Sequence, residues 1–186
     1  MTNIKYNTIR KIAFILLMLL TLSLNAQVKF LGIPVDGSKS EMIAKLTQKG
    51  FLYNIYKGQL IGEFNGNDVV IQVVEYNGKV GRIQVEDATA SDEIDIIFKY
   101  NNLIEQFERN GKYIGENEKI DNKVNIQNEM YKNRKRYEAV YYQKDEDDET
   151  LLMRKVRFKI NKAENSQFKI QLFYDNVFNI PNGEDL

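Results

Sequence analysis

Three observations point to an α+β fold in which two tandem helix-plus-four-strand units form an antiparallel sheet with helices packed on one face. The first is a repeated order of signals: an amphipathic helix with its own start and stop, then a set of short β-forming runs, twice along the chain. The second is the punctuation of those runs by Lys57-Gly58, Asn65-Gly66-Asn67 and Asn77-Gly78. Such turns join antiparallel neighbours, whereas a parallel sheet needs helical crossovers. The third is one-sided alternation. In Leu151 to Ile160, Leu152, Val156, Phe158 and Ile160 share one side, and Lys155, Arg157 and Lys159 share the other. A sheet with one face on a core and the other in water reads this way.

The first 26 residues read as an export signal rather than as fold. Lys5, Arg10 and Lys11 make a basic start without an acidic residue, and Ile12 to Leu24 is apolar apart from Thr21 and Ser23. That run has 13 residues, against the roughly 20 that a membrane-spanning helix needs. A basic start, a short apolar run and a small residue at the end describe a secretory signal peptide, with the cut expected between Ala26 and Gln27. Leu24, three residues before the cut, is larger than usual there. The expected location is periplasmic or extracellular.

Removing Lys5, Arg10 and Lys11 from the 26 basic residues leaves 23 against 26 acidic ones, a formal charge of −3 for residues 27–186. Nucleic-acid binding leaves a basic surplus, which is missing, and adhesion to anionic lipid is disfavoured on the same ground. Cysteine, histidine and tryptophan are all absent. A lipoprotein anchored through an acylated cysteine is therefore excluded, as are a Ser-His-Asp triad, a Cys-His pair and the common zinc sites. Chemistry built on carboxylates, Ser-Lys or tyrosine survives.

The first unit spans 27–88. Ser38-Lys39-Ser40-Glu41 fits a capping box, Met42, Ile43 and Leu46 form an apolar stripe, and Gly50 ends the helix with Phe51 folded back on Leu46. Four strands follow: Phe51, Tyr53 and Ile55 in alternation, Leu60 to Phe64, Val69 to Tyr76, and Val80 to Glu86. The second unit spans 89–186, with the joint at Ala88 to Ser91, and the two units make one compact domain. Thr89 or Ser91 is placed to cap a longer helix carrying Ile94, Ile97, Tyr100, Ile104 and Phe107, which Gly111 closes. Lys112 to Asn122 reads as a polar connection. An extended stretch through Val124, Ile126 and Met130, then Tyr137 to Gln143, Leu151 to Ile160 and Phe168 to Tyr174, supply its four strands.

Candidate sites are few. Gly32 and Gly37 have the spacing of a phosphate-binding loop, but Ser38 stands where the lysine belongs and Lys39 comes one residue late. One residue at a helix start is about 100° of rotation, so Lys39 points away from a phosphate. Ser38, Lys39 and Ser40 could suggest a Ser-Lys nucleophile, and capping explains them with less. The run Asp145 to Glu149 lacks the glycine and the distant glutamate of a calcium loop and reads as a solvated turn. Arg134-Lys135-Arg136 reads as a charged turn that discourages edge pairing. Tyr137, Tyr141 and Tyr142 crowd one strand, and Phe168, Phe173 and Tyr174 lie two strands on. Alternation sends Tyr141 and Tyr142 to opposite faces, so one of them leaves the core. An open face mixing tyrosine with lysine and arginine suits a protein or glycan contact. Half-buried strand tyrosines without a function are the simpler alternative.

FLGIPVDGSKSEMIAKLTQKGF (Phe30 to Phe51), together with KRYEAVYYQ (Lys135 to Gln143), resembles small exported bacterial proteins of uncharacterised function. The twice-used helix-plus-four-strand unit resembles the fold of the β-lactamase-inhibitory protein and of the short outer-membrane assembly lipoproteins of the SmpA/OmlA kind. The inhibitory protein has disulfides and the assembly lipoproteins an acylated cysteine, which this chain lacks, so the resemblance implies an architecture and carries over no site residue. The missing catalytic residue types and the tyrosine-rich strands give the expectation of a non-catalytic secreted or periplasmic binding protein, contacting an envelope or extracellular protein or glycan through the open sheet face. A carboxylate-based hydrolase acting on envelope polymers is the alternative. No catalytic, cofactor-binding or metal-ligating residue is singled out, no cofactor is expected, and neither nucleic acid nor stable membrane insertion after signal cleavage is expected.

Overall fold

The computed structural model describes residues 27–144 and 148–181; residues 1–26, read above as an export signal, lie outside them. A short hairpin comes first, β1 (Lys29–Phe30) and β2 (Ile33–Pro34), followed by α1 (Lys39–Gln48). The first unit continues as β3 (Leu52–Asn54), β4 (Gln59–Phe64), β5 (Asn67–Tyr76) and β6 (Lys79–Asp87). The second comprises α2 (Glu93–Arg109), β7 (Tyr113–Ile114), α3 (Ile126–Tyr131), β8 (Glu138–Gln143), β9 (Arg154–Lys162) and β10 (Phe168–Asn176). Strands β3 to β10 form one antiparallel eight-stranded sheet in the order β3-β4-β5-β6-β10-β9-β8-β7. Each unit thus runs from a sheet edge inward, and the two last strands, β6 and β10, meet at the centre. The order is that of one meander used twice about a two-fold axis normal to the sheet.

Helices α1 and α2 form for the local reasons the residues supply. Ser38 Oγ accepts from the Glu41 amide at 3.3 Å while Glu41 Oε2 accepts from the Ser38 amide at 3.2 Å, which completes the capping box. At the far end Gly50 takes φ +102°, its amide reaches Thr47, and the Phe51 amide reaches Leu46 at 3.3 Å. These two bonds satisfy carbonyls that the last turn would leave open and bring buried Phe51 back toward Leu46. Helix α2 is capped by Asp92, whose Oδ1 accepts from the Asp95 amide at 2.9 Å, and not by Thr89 or Ser91. Ser91 instead exchanges two backbone bonds with Phe168, holding the joint between the units to the start of β10.

The core lies between one sheet face and the helices. Met42 and Leu46 of α1 and Ile96, Ile97, Tyr100, Ile104 and Phe107 of α2 are buried against it. Phe107 stacks on Tyr141 with centroids 4.6 Å apart, and Tyr100 meets Phe158 edge-on at 5.1 Å. The first hairpin joins this layer: Val28, Phe30 and Val35 are fully buried, and Phe30 lies against Phe64 and Tyr174. Burial pushes the Tyr174 phenol well above its ordinary ionisation range, and the neighbouring Tyr113 adds to it.

Several expectations are corrected here. Ile94 is 78% exposed, because Ile96 and Ile97 take the inward positions of α2. Asn110, with an extended ψ of 105°, ends that helix before Gly111. Ile55 is 74% exposed beyond the end of β3. Ile126 and Met130 belong to a helix, capped by Asn125, rather than to a strand. The fourth strand of the second unit is β7, within the stretch read as a polar connection, and pairs with the end of β8. Leu152 belongs to a 3-10 turn, Asp148–Met153, where it is 68% exposed, and the inward position at the start of β9 is taken by Arg154, which is 1% exposed. Its Nε donates to the Gln143 carbonyl at 2.8 Å.

Three side-chain amides tie the irregular connections down, each making two bonds to one residue's backbone. Asn101 pairs with Ile120 at 2.8 Å in both directions, Asn117 with Val140 at 2.9 Å, and Gln143 with Lys29 at 2.7 and 2.6 Å. Each satisfies a backbone donor and acceptor where no strand is available. Between β7 and Asn117 the chain passes so close to β8 that a Cβ on Gly115 would lie 2.6 Å from the Val140 carbonyl oxygen. Gly115→Ala is therefore expected to cost about 3 kcal/mol of stability in urea unfolding. Gly111→Ala, whose Cβ would meet nothing within 4 Å, is the matched control and should be near neutral.

The buried phenols give a second expectation. With its folded-state ionisation raised, Tyr174 stays protonated where the unfolded chain already ionises. Its contribution is complete below about pH 10 and is lost as pH rises above it. Urea stability measured across that range should fall less steeply for Tyr174→Phe than for the wild type. Parallel curves would overturn this account.

Candidate functional site

Two surfaces bear on the binding and hydrolase readings. The first is the sheet face away from the helices. Register places Val74, Arg82, Asp175, Lys155 and Tyr142 in one row across β5, β6, β10, β9 and β8. The next row reads Gln72, Gln84, Phe173, Arg157 and Val140, and the third reads Val70, Glu86, Gln171, Lys159 and Glu138. Residues of the flanking strands in these rows are half-buried or exposed, but those of β10 are not: Gln171, Phe173 and Asp175 are 7%, 3% and 5% exposed.

The centre of that face is a closed polar knot. Asp175 Oδ1 accepts from Arg82 Nε, and its Oδ2 accepts from Arg157 Nε at 3.2 Å. Arg157 also donates to Glu138 Oε1 at 2.8 Å. Burial opposes the Arg157 charge, but these carboxylates more than compensate and hold the guanidinium protonated more firmly than usual. Both arginines lie over the Phe173 ring, at 5.1 and 4.2 Å, and Lys159 lies over it at 5.4 Å. Three cations roof the phenyl ring, which explains its burial on a face without a second layer of core.

The tyrosines expected on this face are mostly elsewhere. Tyr137, Tyr141, Phe168 and Tyr174 are buried in the core, and Tyr142 alone of the Tyr137–Gln143 strand's tyrosines reaches the open side, half-buried beside Lys155. The open face is therefore a charged surface with one covered ring and few available aromatics. Alternation alone distinguished Tyr141 from Tyr142. The parity that puts Phe173 and Asp175 opposite Tyr174 was equally available in the sequence, but their burial follows from the central place of β10, which needs the topology.

The second surface is a cleft between α2 and the first unit, in two adjoining chambers of about 360 and 440 Å³. Both are lined by Phe64, Asn65, Leu103, Gln106 and Leu172. The β4–β5 turn, with Asn65 and Gly66 at φ +53° and +74°, reaches α2 there, and Asn65 Nδ2 donates to Gln106 Oε1 at 2.7 Å. Asp87 and Asp95 both line the smaller chamber. Asp87 is 8% exposed, and its Oδ2 accepts from the Ile170 amide at 3.2 Å and from Lys99 Nζ at 3.4 Å. That carboxylate anchors β6 to β10 and α2.

The remaining candidates resolve simply. Leu31 and Gly32 form the turn of the β1–β2 hairpin with φ +51° and +80°, and the Ser38 and Glu41 amides at the start of α1 are engaged by the capping box. No phosphate cradle is formed. Of the acidic run, residues 145–147 lie outside the described residues. Arg134-Lys135-Arg136 is an ordered lead-in to β8, with the Lys135 amide bonded to the Glu129 carbonyl at 3.0 Å. Among the described residues no group of three or more acidic side chains is placed to hold a metal ion, and no helix is long and apolar enough to cross a membrane. The chain matches no protein-family model, no curated protein and no solved structure.

Asp175→Asn tests the knot. Removing the charge leaves two guanidiniums crowded over Phe173 without their shared carboxylate. Because both arginine side chains are about a fifth exposed, the expected loss is about 2 kcal/mol in urea unfolding, below that for a fully buried pair. Arg82→Ala, which leaves the Arg157 bond in place, should cost less.

Proposed function

We propose that this chain is a non-catalytic binding protein of the periplasm or extracellular space that contacts a protein or a glycan through its open sheet face. The observation that carries the reading is the fixed state of that face. Its charged side chains are held by cross-strand ion pairs and by Phe173, so few rotamers remain to be frozen on binding. A surface prepared in this way costs less to engage than a field of free lysines. The resemblance of the unit order to inhibitory and assembly proteins is one of architecture and carries no function to this chain.

Tyr142 and Lys155, cross-strand neighbours at one margin of the face, are the residues to change. The protein carrying Tyr142→Ala and Lys155→Glu should lose at least tenfold in capture of its partner from envelope extract, or in binding on a glycan array, with unchanged circular dichroism. A partner retained with undiminished affinity would overturn the reading.

A carboxylate-based hydrolase is the second reading, and one observation favours it: Asp87 and Asp95 line the same chamber. Turnover of a glycan or peptide panel that Asp95→Asn abolishes would establish it and displace the first.

A further inference from the structure

A groove of about 640 Å³ lies at the margin of the open face, between the lead-in to β8 and the second half of β9. Six cations line it: Arg134, Lys135, Arg136, Arg157, Lys159 and Lys162. A single carboxylate, Glu138, lines it with them. Glu138 is held by Arg157, which Asp175 also engages, and Lys135 is 3.8 Å from Glu129 just outside. Arg134, Arg136, Lys159 and Lys162 have no carboxylate within ion-pair distance among the described residues. Two of these are positioned by rings, which do not neutralise them: Lys159 over Phe173 at 5.4 Å and Lys162 over Tyr131 at 3.9 Å.

This charge is segregated. Residues 27–186 carry a formal −3, yet one groove gathers four uncompensated cations. Its walls are ordered, because the amides of Asn133 and Lys135 bond back to the carbonyls of Asn128 and Glu129, and the Ile160 amide bonds to the Tyr137 carbonyl. Like charges held together repel, and a concave site lined by one sign concentrates its field on whatever enters. Guanidinium forks match phosphate, sulfate and carboxylate oxygens in pairs, and ammonium groups supply further donors. The volume is that of a small-ligand site.

We propose that this groove binds a small polyanion, a ligand carrying two or more phosphate, sulfate or carboxylate groups, with Arg134 and Arg136 contributed by the lead-in to β8 and Lys159 and Lys162 by β9. The inference goes beyond the contact surface proposed above and is tested without a macromolecular partner. Calorimetric titration of the full chain with tripolyphosphate, citrate and a disulfated disaccharide should give binding by at least one of them, and which one binds identifies the oxyanion. Affinity should fall at least tenfold in Arg134→Ala/Arg136→Ala and again in Lys159→Ala/Lys162→Ala, with the melting temperature of each variant recorded as the check on folding. Affinity should also weaken steadily with added salt. If none of the three binds more tightly than inorganic sulfate, or if binding survives both double substitutions, the proposal falls.

Discussion

Everything in this fold depends on β6 and β10 pairing at the centre of the sheet. Each unit alone is a four-stranded meander with one or two helices, too little to bury its own apolar face. Joined through their last strands, the two faces become one, with rows such as Val73-Ile83-Tyr174-Val156-Tyr141 running unbroken from one unit to the other. The same junction makes β10 a strand buried on both sides. Its inward residues meet the helices and its outward ones are covered by long side chains from β6 and β9. A carboxylate in that position must be paired, and Asp175 is paired twice, once by each flanking strand. The polar knot on the open face is thus a consequence of the seam.

Where regular pairing runs out, amide side chains take over the accounting of backbone donors and acceptors. Strand β7 has two residues, and Asn117 continues its role beyond Gly115 by pairing with both polar groups of Val140. Gln143 does the same for Lys29, which fastens the first hairpin to the far unit, and Asn101 does it for Ile120 beneath α2. A carboxamide presents an N–H donor beside a C=O acceptor, as a peptide group does, so each can stand in for a strand residue.

Local chemistry was legible in the residues, and partnership was not. The capping box at Ser38, the Gly50 ending and the asparagine-glycine turns are properties of three to six adjacent residues, and all appear as read. The errors share a different cause. Val124, Ile126 and Met130 share the parity of a strand, while Ile126 and Met130 also have helical spacing, and only the Asn125 cap and the burial of Ile126 and Met130 decide for the helix. Ile94 was one apolar position too many for a stripe that Ile96 and Ile97 already fill. Leu152 lost the inward place to Arg154 because β9 begins later than its apolar run, after a 3-10 turn. In the candidate surfaces, the charged alternation of β9 was visible in advance. That its charges converge with Arg82 on Phe173, or with Arg134 and Arg136 around a groove, depends on strand order, which no short stretch encodes.

Strand order also decides where binding free energy can come from. At the centre of the open face every strong group is already engaged: Asp175 by two arginines, Arg157 by two carboxylates, and Phe173 by three cations. A ligand placed there would exchange good interactions for others of the same kind, with little net gain. Rigidity is what the knot contributes. The margins differ, because Tyr142 and Lys155 at one side are held in register without a closed network, and the groove at the other holds cations that no carboxylate balances. A self-satisfied centre with unsatisfied margins has the right distribution for a surface that must keep its shape and still leave its contact energy to an incoming partner.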